Sequence, residues 1–134
     1  MTYLLDTNTV SELMRANSKS LAKLQEQSPQ TVMIAQPVIA EISFGLKYLG
    51  KSKRKTLLEK RWHIYKEELK CVQWTDAVSD SFASIKSALY KRGEPLEDFD
   101  IAIAAHALAF NMCLVTNNTK HMKRIKGLSL DDWS

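Results

Sequence analysis

The run Tyr3-Leu4-Leu5, followed at once by Asp6-Thr7-Asn8, constrains the possible folds of this chain more than any other stretch. A short apolar run that ends in polar turn residues reads as a fully buried strand. Strands covered on both faces are the habit of parallel sheets flanked by helices. Asp6 then falls at the carboxyl end of the first strand, where open α/β sheets place their ligand sites. Thr9-Val10-Ser11-Glu12 follows at capping-box spacing and predicts a helix that starts almost immediately. Taken alone, Asp6 is better explained as a turn or cap residue, and the case for more rests on the other acids.

The remaining elements alternate. Val10 to Met14 reads as a short helix, and Ser18 as the cap of a second one that runs to about Gln27 before Ser28-Pro29-Gln30 breaks it. Thr31-Val-Met-Ile-Ala35 is a second buried strand. Pro37 suits the first turn of the next helix, where its missing N–H has no partner to lose. That helix carries Ile42, Leu46 and Leu49 on a common face, with Glu41 in its first turns, and Gly50 ends it. Gly45 costs this helix about 1 kcal/mol relative to alanine, which points to a close approach by another group. A long amphipathic helix from Ser52 to Lys70 leads to a third strand at Lys70–Trp74. Asp76 or Ser79 caps the next helix, which Gly93-Glu94-Pro95 stops. Phe99 to Phe110 is helical and apolar nearly all round, as in a helix buried between layers. Met112–Thr116 is a fourth strand and Leu128–Leu130 a short fifth. Strands alternating with helices predict a three-layer α/β/α sandwich with a central parallel sheet, and right-handed crossovers restrict its topology.

A chain of 134 residues with 45% hydrophobic residues is long enough for one domain with its own core, without disulfides or metal staples. Cys71 and Cys113 lie inside strand-like runs and read as small core residues, which fits a reducing, cytoplasmic setting. No apolar run approaches the roughly 20 residues that span a bilayer, and no secretory leader pattern is visible. The net charge of +4 permits a polyanionic partner without demanding one.

On this reading Asp6 ends strand one, Glu41 opens the helix after strand two, Asp98 and Asp100 open the buried helix, and Asn117-Asn118 follow strand four. The strand end, the start of the helix after strand two and the turn after strand four belong at the carboxyl edge of the sheet, and Asp100 joins them if the buried helix starts there. Each acid also has a structural explanation, since carboxylates at a helix N-terminus are stabilised by the dipole. Their gathering on one edge is harder to explain that way: desolvating clustered carboxylates costs several kcal/mol per ion. A divalent cation removes the conflict, and an oxygen-only donor set favours Mg²⁺ or Mn²⁺ over zinc.

Four segments in order, Leu5-Asp-Thr-Asn8, Val38-Ile-Ala-Glu-Ile-Ser-Phe-Gly45, Asp100-Ile-Ala-Ile-Ala-Ala-His-Ala107 and Leu114-Val-Thr-Asn-Asn118, resemble a PIN-domain ribonuclease. With the tail Gly127-Leu128 and Asp131-Asp-Trp-Ser134, the chain is similar to the enteric-type VapC toxins of bacterial toxin–antitoxin pairs. The resemblance implies Asp6, Glu41 and Asp100 as catalytic, metal-binding acids. Thr7 and Thr116 would orient ligands or water, Asn8 and Asn118 would support them, and Asp98 would add an auxiliary charge. It also implies a Mg²⁺-dependent (or Mn²⁺-dependent) endoribonuclease yielding 5′-phosphate and 3′-hydroxyl ends, a homodimer, and a cognate VapB-type antitoxin. The implied target is transfer RNA, through the anticodon loop of the initiator species. The chain departs from the pattern in three places. Asn118 stands where many PIN domains carry a fourth acid, His121-Met122 where related toxins often have Glu-Phe, and Glu97-Asp98 where many have Gly-Pro.

Two basic stretches remain. Lys47, Lys51, Lys53, Arg54, Lys55, Lys60 and Arg61 read as a solvated face. Lys120, Lys123, Arg124 and Lys126 follow strand four and are candidates for RNA phosphate contacts. Trp62 and Trp74 read as core or interface residues, and His63 and His106 as structural. His121 alone is placed to approach a substrate. A receiver-like phospho-aspartate module would share the sheet, with Asp76 after strand three and Lys120 after strand four. It needs a carboxylate pair after strand one, and only Asp6 is there. An RNA-binding protein without catalysis would leave the acids without a purpose.

Overall fold

The computed structural model describes residues 1–134. Five strands, β1 (Tyr3–Leu5), β2 (Val32–Ala35), β3 (Lys70–Val72), β4 (Cys113–Val115) and β5 (Ser129–Asp131), form one parallel sheet in the order β3-β2-β1-β4-β5. Helices flank it as the α/β/α sandwich requires: α1 (Thr7–Met14), α2 (Ser18–Gln25), α3 (Gln36–Tyr48), α4 (Lys53–Glu68), α5 (Asp76–Lys91), α6 (Asp98–Ala109) and the single turn α7 (Thr119–Met122). β1 lies at the centre, with Leu4 in register with Met33 on one side and Leu114 on the other. The chain builds outward from β1 to β2 and β3, then returns to set β4 on the opposite side of β1. That reversal is a topological switch point, and ligand sites in such sheets form beside it at the strands' carboxyl ends.

The core follows from the apolar strands and the all-apolar helix. Leu4, Leu5, Ile34, Leu114 and Val115 are fully buried, and so is α6 from Ile101 to Ala107 apart from traces of exposure. His106 sits in this apolar run with its Nδ1 2.7 Å from the Ala102 carbonyl and Trp74 edge-on 5.1 Å away, a structural placement. Trp62 is buried, whereas Trp74 is half open to solvent. At the far end of the chain Trp133 is buried against Tyr3, its Nε1 donating to Asp131, while its carbonyl accepts from Ser20 Oγ and so ties the C-terminus to α2.

Several boundaries differ from the sequence reading, each for a local reason. The expected capping box at Thr9–Glu12 does not form. Asp6 itself is the N-cap, accepting from the Thr9 N–H at 2.8 Å, so α1 starts at Thr7 and not Val10. Asn17, not Ser18, caps α2 through the Ser20 N–H. Thr75, not Asp76 or Ser79, caps α5. Asn and Thr side chains one position upstream reach the same orphan N–H groups equally well. Thr31 belongs to a 3-10 turn at Pro29–Thr31, so β2 starts one residue late. The third strand stops at Val72, and the fifth is shifted by one residue to Ser129–Asp131. No atom lies within 4 Å of a Cβ built on Gly45, so the expected close approach is not made from within the chain.

Candidate active site

Asp6 arrives at the switch point because β1 ends in it. Its N–H donates to the Val115 carbonyl of β4 at 3.1 Å, continuing the ladder. Its Oδ1 is held by the Thr9 N–H, and the residue is 8% exposed. A carboxylate fixed by one oxygen at a helix N-terminus still has its second oxygen to offer a cation. Thr7, the next residue, points its hydroxyl across to α3, where Oγ1 donates to Glu41 Oε1 at 2.5 Å. Glu41 is brought there by α3, which Pro37 starts immediately after β2.

Asp100 comes from the first turn of α6, which has no side-chain cap of its own. Burial pushes its carboxyl up from the ordinary value, and the charges of Glu41, Asp6 and Glu97 push it further, while His121 pulls it down. The four segments therefore share one electrostatic neighbourhood. No three His, Cys, Asp or Glu side chains stand close enough to form a ready-made ion cage. The donor set is nonetheless all oxygen and mutually repelling, and both features suit a hard divalent cation drawn in by charge. Asp6, Glu41 and Asp100 are the residues that would hold it.

The other sequence candidates divide. Thr116 is buried at the end of β4, its Oγ1 accepting from the Asn118 N–H at 3.0 Å. Asn8 reaches Asn117 Oδ1 at 3.5 Å, joining α1 to the turn after β4. Asn118 Oδ1 lies 2.5 Å from His121 Nδ1, so its amide oxygen is engaged by an imidazole. Asp98 points away to α5, paired with Lys86 at 2.9 Å. Lys120 and Lys123 are exposed, and so is Lys126. Arg124 is drawn aside: its guanidinium is 3.5 Å from Glu94, and its carbonyl accepts from Arg92. The sequence reading did not foresee the Asn118–His121 and Asp98–Lys86 pairs. The first had a signal in its i, i+3 spacing in the turn after a strand, but the second joins residues on different elements.

Glu41 stands between two depressions. A cleft of ≈ 890 Å³ on one side is lined by Glu41, Phe44, Tyr90, Glu97, Asp98 and Phe99 among others. A groove of ≈ 290 Å³ on the other holds Thr7, Arg15, Glu41, Gly45 and Arg54 over an apolar floor. An acidic centre with basic and apolar walls can hold a cation against a phosphodiester.

The family model for the PIN domain matches residues 3–128. Ribonuclease VapC2 of Rickettsia felis is 30% identical over 99% of this chain and 98% of its own length. The tRNA(fMet)-specific endonuclease VapC of Shigella flexneri is 24% identical over 98% of both. In the crystal structure of VapBC2 from Rickettsia felis bound to a DNA fragment from their promoter, one chain matches this fold with a TM-score of 0.89, at 29% identity and covering 100% of both chains. The PIN match over nearly the whole chain and the end-to-end likeness to VapC2 agree with the acids at the switch point: this chain belongs to the PIN-domain family and, within it, to the VapC ribonucleases.

Proposed function

We propose that this chain is the toxin of a type II toxin–antitoxin pair, and that it hydrolyses phosphodiester bonds of RNA with Mg²⁺ or Mn²⁺ held by Asp6, Glu41 and Asp100. The observation that carries this reading is the state of Asp100, a half-buried carboxyl raised first by its burial and then by the charges of Glu41 and Asp6. When bound, the cation would neutralise that repulsion, polarise the scissile phosphate and lower the pKa of an attacking water. The protein's own contribution is positioning. The Thr9 N–H fixes Asp6, the Thr7 hydroxyl fixes Glu41, and the α6 N-terminus presents Asp100. The products are a 5′-phosphate and a 3′-hydroxyl.

The substrate is transfer RNA, and the Shigella flexneri relative's name supports this choice. Neutralising partners also have support: the Rickettsia felis structure holds VapB with VapC, so a cognate VapB-type antitoxin is expected here. A homodimer is part of the same reading. Phe44 and Tyr48 stack at 5.6 Å on α3 while 66% and 82% exposed, more apolar surface than a solvent face needs. No helix is long and apolar enough to cross a membrane, and we place the protein in the cytoplasm. A receiver-like module has no counterpart for the Thr7–Glu41 bond and is set aside, and a non-catalytic RNA binder has no use for a raised Asp100.

Purified protein incubated with total transfer RNA and Mg²⁺ should cut at one site, with RNA-end sequencing giving the position. EDTA should stop cleavage and leave the circular dichroism unchanged, because the core is large enough to fold without metal. Equal cleavage in excess EDTA would overturn the reading.

A further inference from the structure

His121 occupies a position that metal-centred phosphodiester hydrolysis does not by itself require. It lies exposed in the single turn α7 that follows β4, near enough to the acidic site for its charge to act on Asp100. Its Nδ1 is 2.5 Å from Asn118 Oδ1. An amide oxygen only accepts, so Nδ1 carries a hydrogen, and Nε2 is the nitrogen left to gain and lose a proton. Asn118 is fixed in turn through its N–H to Thr116 Oγ1, at the end of the central sheet. The ring is thus oriented by a chain of two hydrogen bonds rooted in the buried end of β4.

We propose that His121 is the general acid of the cleavage step, delivering a proton from Nε2 to the departing 3′ oxygen of the RNA. This rests on the ribonuclease reading and adds a role that the three acids cannot fill. Asp6, Glu41 and Asp100 serve as anions toward the cation, and the Thr7 hydroxyl is already committed to Glu41. Imidazole is the side chain suited to give and regain a proton near neutral pH. The charged groups around it are Asp100 on α6, whose carboxyl senses the imidazole, and Lys120, Lys123 and Arg124 on its own segment.

The step balances as follows. Water oxygen forms a bond to phosphorus, and the phosphorus–O3′ bond breaks. Its electron pair goes to O3′, which takes the Nε2 proton, leaving neutral imidazole with Nδ1–H still on Asn118. The water's proton passes to solvent, and solvent reprotonates Nε2.

The test compares native protein with His121→Ala and His121→Gln on two versions of one RNA. One carries the natural 3′ oxygen at the cleavage site and the other a bridging 3′ sulfur. Both are assayed in Mn²⁺, which accepts sulfur more readily than Mg²⁺. A thiolate leaves without a proton, so the need for an acid disappears. Both variants should cut the oxygen substrate about 10²-fold more slowly, the low end of general acid contributions, and should cut the sulfur substrate at the native rate. Equal slowing on both substrates would make His121 a structural or binding residue and overturn the proposal. Native rates on the oxygen substrate would overturn it too. If native protein cuts neither substrate, the ribonuclease reading itself falls and takes this proposal with it. Circular dichroism checks that each variant is folded, and the exposed position of His121 favours that.

Discussion

The Thr7 hydroxyl donates to Glu41 Oε1 at 2.5 Å and so joins the first residue of α1 to the second turn of α3. The two residues are 34 positions apart, and the bond crosses from the end of β1 to the helix that follows β2. It fixes one carboxylate oxygen and leaves the other without a hydrogen-bond partner in the chain. A hydrogen bond to a charged group contributes about 1.5–3 kcal/mol, which is about 10–150-fold in rate if the geometry of Glu41 matters to the reaction. Thr7→Val should lose that much in kcat and lower Tm as well, since the same bond joins α1 to α3, and Thr7→Ser should keep most of both. A Thr7→Val protein with native kcat would show that Glu41 is positioned by something else.

Asp6 has two duties that one substitution can separate. Asparagine caps helices as well as aspartate does, so Asp6→Asn should fold normally with α1 intact while losing the charge that attracts a cation. Activity should fall below about a hundredth of native, on the scale of removing one preorganised electrostatic contact. Glu41→Gln and Asp100→Asn should behave alike. Asp98→Asn should be milder, because Asp98 is turned away and paired with Lys86. Cleavage assays on the folded variants check the order, and an Asp98 variant worse than the Asp100 variant would reverse their roles.

Much of this site was legible in the sequence because strand ends and helix starts are marked by residue type. Asp6 after Leu4-Leu5, Pro37 before Glu41, and Asp100 before an apolar run each fix an acid to an element end. What could not be read was which oxygen bonds to which hydrogen. Thr9-x-x-Glu12 carries a capping signature, but Asp6, which also reads as a cap residue, stands one turn earlier and takes the Thr9 N–H itself. Arg124 looked like its lysine neighbours until the α5–α6 turn brought Glu94 beside it. Local patterns place backbone, whereas pairings between Asp98 and Lys86 or Glu94 and Arg124 depend on how α5 and α6 cross.

Asp100 predicts a pH dependence of stability. Its carboxyl is raised in the folded protein, first by burial and then by Glu41 and Asp6, so the native state binds this proton more tightly than the unfolded chain does. Stability therefore falls as pH rises from the ordinary carboxylate range through the raised folded value. At neutral pH the ionised group costs stability. Asp100→Asn should thus raise Tm at neutral pH, and the gain should shrink as the pH is lowered into the range where native Asp100 is protonated. Mg²⁺ should raise the native Tm by binding only the folded state, and should do less for the variant. Thermal melts across pH, with and without Mg²⁺, check both; a variant less stable than native at neutral pH would reverse the assigned sign.

The basic segment after β4 predicts a division within itself. An acidic centre repels RNA, so affinity has to come from cations at its rim, and each phosphate neutralised contributes close to one unit to the slope of log K against log salt. Lys120 and Lys123 are exposed on or beside α7, free to follow a phosphate backbone. Arg124 is only partly exposed, pairs with Glu94, and has its carbonyl held by Arg92, so its charge is shared before RNA arrives. Lys120→Ala and Lys123→Ala should each weaken binding of transfer RNA and flatten the salt slope by about 1. The cleavage position should stay put, because phosphate contacts position RNA without reading its sequence. Arg124→Ala should change the slope less and lower Tm instead, by loosening the α5–α6 turn from the segment that carries His121. Salt titrations of binding to a cleavage-defective Asp6→Asn protein separate the two classes. A slope change for Arg124→Ala as large as that for Lys123→Ala would mean that the Glu94 pair opens to let Arg124 take a phosphate.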